Sequence, residues 1–227
     1  MTFQRARQPE QKAQRRSQIL AAARQLLADQ GMDQLSLSEL ARRVGLAKSN
    51  VYRYFESREA VLLEVLDRDW QAWIEELNER TAQPDLALPA QERGRLLATY
   101  VASSAASRPR LCALLSVLGS VLEHNLSEDT VRAFKLDALE RSFAVVTSMQ
   151  RVLPELDFDG CVDLLNAAHA LLTGHWLACQ PSDVVAKVLT DPRLCLFKRD
   201  FESDLQRSLG LCIAGLLAEA RPPDTQR

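Results

Sequence analysis

The chain has 227 residues, 47% of them hydrophobic, with 28 Lys/Arg against 30 Asp/Glu. That is enough to bury a sizeable core, either as one large domain or as a small domain beside a larger one. No apolar run reaches the ~18 residues that a membrane span needs, and the opening MTFQRARQPEQKAQRRSQ has no apolar leader core, so a cytoplasmic protein without membrane partners is expected.

The net charge of −2 conceals an asymmetry. Residues 1–60 carry 11 Lys/Arg and 6 Asp/Glu, a net +5, and the remainder 17 and 24, a net −7. A basic end attached to an acidic body suits a polyanionic partner held at that end. The five cysteines (112, 161, 179, 195 and 212) are odd in number, widely spaced and free of any C-x-x-C. Buried, reduced thiols are therefore expected rather than a disulfide framework or a zinc site.

In chain order, residues 1–11 hold Arg5, Arg7 and Pro9 without apolar periodicity. They read as a flexible basic tail, either simply solvated or resting on a phosphate backbone or minor groove. A first helix is expected near residues 12–30, with Ile19, Ala23, Leu26 and Leu27 inward and Gly31 at its end. Ser36 or Ser38 then caps a second helix, in which Leu37, Leu40, Ala41 and Val44 share one face. Gly45 ends it, because glycine alone takes the left-handed conformation without steric cost. Lys48–Tyr54 read as a third, short helix with Val51 and Phe55 inward, which leaves Lys48, Ser49, Asn50, Tyr52, Arg53 and Tyr54 on its outer faces. Cationic and amide side chains of that kind pair with guanine and adenine edges, and hydroxyls with phosphate. The pattern is a helix-turn-helix.

Ser57 caps a long fourth helix to about Arg80, with a stripe of Leu62, Leu66, Trp70, Trp73 and Leu77. A Pro-containing loop follows. Further helices are expected near 90–108, 110–125 (after Pro109), from Ser127 to about 153, 159–179, 182–190 and 199–220, with a disordered tail at 221–227. No β-like alternation occurs, so the fold is expected to be all-α. Catalytic motifs are missing, and His169 and His175, six apart, do not share a helix face. No metal, no cofactor and no enzyme activity are expected.

SELARRVGLAKSNVYRYFESREAVLLEVL resembles the signature of the TetR/AcrR family of bacterial transcriptional regulators over roughly residues 15–66. The shared features are the Leu-Ala of the second helix, Gly45, Tyr52-x-Tyr54-Phe55 and Ser57-Arg58-Glu59. The resemblance implies a helix-turn-helix domain at 12–58 and an effector-binding and dimerisation domain at 59–220. It implies phosphate contacts from Ser36, Tyr52, Tyr54 and Arg58, and base-edge contacts from Lys48, Ser49, Asn50 and Arg53, with Ser38 and Arg42 contributing from the second helix.

The partners so implied are double-stranded operator DNA, a second copy of the chain and a small-molecule effector. The expectation is a dimeric repressor released from a palindromic operator; a ligand-binding or protein-interaction module with vestigial DNA binding is the alternative. The helices near 159–179 and 199–220 carry more apolar surface than one neighbour needs, together with small residues. Leu164, Leu171, Leu172, Leu205, Leu209, Ile213 and Ala214 are accordingly expected at a four-helix dimer seam. A mostly apolar effector pocket is expected to involve Tyr100, Leu114, Leu118, His124, Phe134, Asn166, His169 and Thr173.

Overall fold

The computed structural model describes residues 3–220, with side chains from Glu10 onward. Among these residues there is no strand. The helices are α1 (Phe3–Gln30), α2 (Leu37–Arg43), α3 (Lys48–Val51), α4 (Arg58–Arg80), α5 (Ala90–Ala106), α6 (Pro109–Ser116), α7 (Glu128–Val152), α8 (Phe158–Ala178), α9 (Asp183–Val188) and α10 (Phe201–Glu219). A π-helical turn spans Leu118–Leu122 and a 3-10 turn Pro192–Phe197.

Short polar side chains start most of these helices by accepting an otherwise orphaned backbone N–H. Ser36 Oγ accepts from Glu39 N at 3.2 Å, so Ser36 rather than Ser38 caps α2. Ser57 Oγ accepts from Ala60 N at 3.0 Å and Ser127 Oγ from Thr130 N at 3.3 Å. Asp157 and Asp200 do the same for α8 and α10.

Three expectations are corrected. The segment 1–11, read as a flexible tail, is helical from Phe3 onward and continuous with α1. Gln, Arg and Ala are good intrinsic helix formers, and a polar helix gives no apolar period to detect. The expectation for 221–227 lies outside the described residues. The helix expected near 110–125 stops at Ser116. Leu122 N then donates to Val117 O and Glu123 N to Leu118 O, five residues back, and Asn125 takes a left-handed φ of 59°. Gly119, Ser120 and two valines weaken the α pattern there.

The third correction concerns the division of the chain. One compact unit takes the chain as far as Asp69 together with Val117–Phe134; the other takes Trp70–Ser116 and the chain from Lys135 on. The boundary thus falls inside α4 and α7 rather than at residue 58. Val117–Phe134 joins the first unit through buried Leu122 and Phe134, and through Glu56, whose Oε1 accepts from Ser127 N at 3.0 Å and Ser127 Oγ at 3.2 Å. Those bonds hold the Glu56 carboxyl below its ordinary pKa, the backbone N–H of Ser127 contributing most.

The core of the first unit collects Ile19, Leu20, Ala23 and Leu26 from α1, Leu37 and Leu40 from α2, Val51 and Phe55, and Leu62, Val65 and Leu66 from α4. In the second unit α10 packs against both α5 and α8. Its Ile213 meets α5 so closely that a Cβ added at Gly94 would lie 2.6 Å from Ile213 Cγ2. Arg93 is buried there and satisfied: Nε donates to Leu88 O at 3.1 Å, Nη1 to Val152 O, and Nη2 pairs with Glu155. Trp73 Nε1 donates to Ser104 Oγ at 3.0 Å, which makes that tryptophan part of the packing.

All five cysteines are free. Burial pushes the Cys112 thiol up to about 12 and Cys161 to about 11, so both stay protonated at neutral pH. Cys195 is exposed, contrary to the expectation that all five are buried.

Packing also reassigns the seam residues. Leu164, Leu172, Leu205, Leu209 and Ile213 are at most 4% exposed within the single chain and fill its own core. Leu171 is half-buried, and only Ala214 of the seven faces outward. Periodicity measured the width of the apolar surface but not which part of it a neighbouring helix covers. The outward faces carry Ala170, Gly174, Leu177 and Ala178 on α8, and Leu211, Ala214, Gly215 and Ala218 on α10. Between those helices, α9 and the 3-10 turn bury no residue and expose Val184, Val188, Leu196 and Phe197.

Gly94→Ala is expected to destabilise the protein by about 1–3 kcal/mol through overpacking, and Ile213→Ala by about 2–5 kcal/mol through the cavity it leaves. Because the two groups collide, the double variant should lose less than the sum. Equilibrium urea unfolding of all four proteins checks this; strict additivity would show that the two side chains do not meet.

Candidate nucleic-acid interface

The site begins with a turn. Val44 N donates to Leu40 O at 3.0 Å to finish α2, Gly45 takes φ 66°, and Leu46 N reaches back to Ala41 O at 2.9 Å. That redirects the chain into α3. The α-helical part is short, but Tyr52 N bonds Lys48 O at 3.3 Å, and Tyr54 N and Phe55 N bond Val51 O at 2.9 and 3.1 Å, so the helical course continues to Phe55. Val51 and Phe55 are buried at 0% and 2%. With those two inward, Lys48, Ser49, Asn50, Tyr52 and Arg53 are exposed together and Tyr54 is half-buried. Tyr52 is 50% exposed, with the Lys48 ammonium 5.9 Å from its ring centroid.

The α2 residues are accessible but partly engaged. Ser38 is exposed. Ser36 is exposed too, and its cap uses only the oxygen lone pair, which leaves the hydroxyl hydrogen to donate. Arg42 grips Glu39 in a fork, Nε to Oε2 at 2.8 Å and Nη2 to Oε1 at 2.6 Å, while Arg43 Nε reaches Oε1 at 3.1 Å. Those bonds, Arg42's first, hold the Glu39 carboxyl down to about 2. Arg42 nevertheless remains 72% exposed.

Arg58 stands apart from the expected set. It is half-buried, and its Nη2 donates to Met32 O at 2.5 Å, bracing the link between α1 and α2.

Sequence reasoning passed over Arg16. Its guanidinium lies 4.3 Å from the Phe55 ring centroid, Nη1 donates to Tyr54 O at 2.5 Å, and Nη2 pairs with Glu64. It ties α1 to the end of the α3 turn and to α4. Beside it, Gln11, Lys12, Gln14, Arg15, Gln18, Arg53 and Tyr54 line an open cleft of about 800 Å³. The sequence signal was the run of cations in residues 5–16, which carries no apolar period.

The eight effector-pocket candidates are not gathered in one unit. Leu118, His124 and Phe134 fall in the first, and Tyr100, Leu114, Asn166, His169 and Thr173 in the second. Leu114 and Phe134 are spent on packing, at 1% and 6% exposed. Tyr100 donates to Glu76 Oε1 at 2.9 Å, and burial followed by that carboxylate pushes its phenol up to about 12. Thr173 donates to His169 O at 2.9 Å, while His124, Asn166 and His169 are exposed. A cavity of about 480 Å³ in the second unit lies instead between α5 and α10, where Arg95, Gln206, Arg207, Ala214 and Leu217 contribute to its walls. Among the described residues no group of three His, Cys, Asp or Glu could hold a metal, and no helix is long and apolar enough to cross a membrane.

Residues 19–65 match the family of bacterial regulatory proteins called tetR, and residues 67–220 the tetracyclin repressor-like C-terminal domain. The EthR regulator of Mycobacterium tuberculosis is 46% identical over 50 residues, 22% of this chain and 23% of that protein. A Bacillus subtilis fatty acid metabolism regulator is 31% identical over 93 residues, 39% of this chain and 48% of that one. The chain thus spans less than half the length of these curated relatives. Among solved structures, a putative TetR-family regulator from Mesorhizobium loti has a TM-score of 0.58 at 16% identity, covering 92% of this chain and 97% of its own. Thermus thermophilus FadR, solved with lauroyl-CoA, has a TM-score of 0.58 at 19% identity, covering 93% and 99%. Both establish the fold. The families matched are regulators, not enzymes.

Arg58→Ala is expected to lower the melting temperature measurably, because it leaves Met32 O without its donor. Lys48→Ala and Asn50→Ala should each stay within about ±0.5 kcal/mol of the parent. Differential scanning calorimetry decides: an unchanged Arg58→Ala midpoint would remove the bracing role.

Proposed function

The chain belongs to the TetR family of bacterial regulatory proteins, and on that premise we propose that it is a sequence-specific DNA-binding repressor. It acts as a dimer on a palindromic operator and is released by a small, mostly apolar effector. The observation that carries the reading is the shared exposure of Lys48, Ser49, Asn50, Tyr52 and Arg53 on a short element whose other face, Val51 and Phe55, is fully buried. A buried inner face fixes the angle of the element, and its outer groups have the chemistry of a major-groove reader. Lys48 and Asn50 read base edges; Ser49 and Arg53 adjoin them. Tyr52, Ser36 and Ser38 hold phosphate oxygens, and Tyr54 and Arg42 stand at the rim. Arg58 acts through the α1–α2 link rather than on DNA.

The dimer forms through the outward faces of α8 and α10. Their small residues, Ala170, Gly174, Ala178, Ala214, Gly215 and Ala218, allow helices to approach closely, and Leu177 and Leu211 supply apolar area. The leucines inside each chain keep the two helices in place. A two-fold axis of this kind puts one recognition element on each half of a pseudo-palindrome.

The effector reading rests on family membership. Thermus thermophilus FadR was solved with an acyl thioester, which makes acyl-CoAs the first compounds to screen. Coupling between effector and operator must be reciprocal, with a typical size of 1–3 kcal/mol. A bound compound that leaves operator affinity unchanged would remove the effector claim and leave DNA binding standing.

On an operator selected from a random duplex pool, Lys48→Ala or Asn50→Ala should cost about 1–3 kcal/mol and relax preference at one or two base pairs. Tyr52→Phe should weaken all sequences about equally. Gel shifts with no loss in any of the three would reject this assignment of the recognition element. In analytical ultracentrifugation, Ala214→Glu should convert dimers to folded monomers, and a monomeric parent at micromolar concentration would overturn the seam.

A further inference from the structure

We infer that the α1 face formed by Lys12 and Arg15 is a second DNA-backbone site, which grips phosphates flanking the base pairs read by α3. The inference rests on the DNA-binding reading and extends it to residues outside the helix-turn-helix. The cleft that α1 makes with the end of the α3 turn has three cations on its walls, Lys12, Arg15 and Arg53, and no carboxylate among the described residues. The cations are therefore not neutralised within the cleft. Its remaining polar lining is the amides of Gln11, Gln14 and Gln18 and the phenol of Tyr54, and amide N–H and O–H groups donate to phosphate as readily as to water.

The contrast with Arg16, one residue on, is informative. Arg16 is turned inward to the Phe55 ring, Tyr54 O and Glu64. Its neighbour Arg15 is exposed, and its Nη1 donates to Gln18 Oε1 at 2.8 Å. One arginine fixes α1 against the recognition element; the other faces solvent beside Arg53. Lys12 and Arg15 are three residues apart, about 4.5 Å along the helix axis, so both present charge to one side. An open cleft of about 800 Å³ lined by donors and continuous with exposed Arg53 suits a passing polyanionic strand. A small enclosed ligand would need walls that this cleft lacks. α1 continues as helix back to Phe3.

The test compares the parent with a Lys12→Ala/Arg15→Ala double variant on a selected operator carrying long flanks of varied sequence. Removal of two phosphate contacts from each protomer, four from the dimeric complex, should make the slope of log affinity against log salt shallower by about 3.6, at about 0.9 per contact. The loss should be similar for every flanking sequence, and hydroxyl-radical protection should disappear outside the base-contacted segment. Lys12→Arg/Arg15→Lys should restore the slope, and Asn50→Ala should change base preference while leaving the slope in place. A double variant with unchanged slope and footprint overturns the inference while the DNA-binding reading survives. A parent protein that selects no operator overturns both. A double variant that also melts earlier than the parent, with an unchanged slope, assigns these residues to folding instead and likewise overturns it.

Discussion

The attitude of the recognition element depends on one junction: Phe55 packed beneath the Arg16 guanidinium, with Val51 beside it in the core. A helix of four residues cannot hold itself together, since nucleation costs more than so few hydrogen bonds return. Its order comes from what it is fastened to. Arg16 supplies three fastenings at once: the aromatic face, the Tyr54 carbonyl and the Glu64 carboxylate. Because Arg16 sits on α1 and Glu64 on α4, the shortest helix of the unit takes its orientation from the two longest. Groups that must meet a groove edge within a fraction of an ångström are best carried by an element with no freedom of its own.

The same economy appears in the second unit. α8 and α10 turn most of their large side chains inward and carry mainly small ones outward, beside Leu177 and Leu211. Leu205, Leu209 and Ile213 give α10 a grip on α5 and α8, while Ala214, Gly215 and Ala218 lie on its far side with Leu211. The seven seam candidates therefore divide by burial: five leucine and isoleucine side chains fill the core of the chain, Leu171 is half-buried and Ala214 is exposed.

Much of this was legible in the residues. The helix-turn-helix was readable because glycine at 45, apolar residues at 40, 41, 44, 51 and 55, and caps at 36 and 57 each carry a local physical reason, and all agree on one arrangement. The all-α fold followed from periodicity. Other features depend on long-range packing and were not readable. Nothing local to Val117–Phe134 says that it belongs with residues 1–69, because the contact is made by Glu56, seventy-one residues from Ser127. The distribution of the effector candidates over two units has the same cause: Leu118 and Asn166 each have a plausible face, but membership of a unit is a property of the folded chain. The helical course of residues 3–11 was hidden for a different reason, since a polar helix has no apolar stripe to announce it.

Gly45 has a consequence that reaches past packing. A Cβ built there meets no atom within 4 Å, yet the backbone stands at φ +66°. The constraint at the turn is therefore one of handedness and not of room. An L-alanine would be strained in open space, whereas a D-alanine introduced by chemical ligation would find the same torsion natural. By removing the freedom that glycine retains in the unfolded chain, it should hold the turn more firmly than the native residue does. The hinge on which the reading head is set is thus an achiral residue standing in for a mirror-image one.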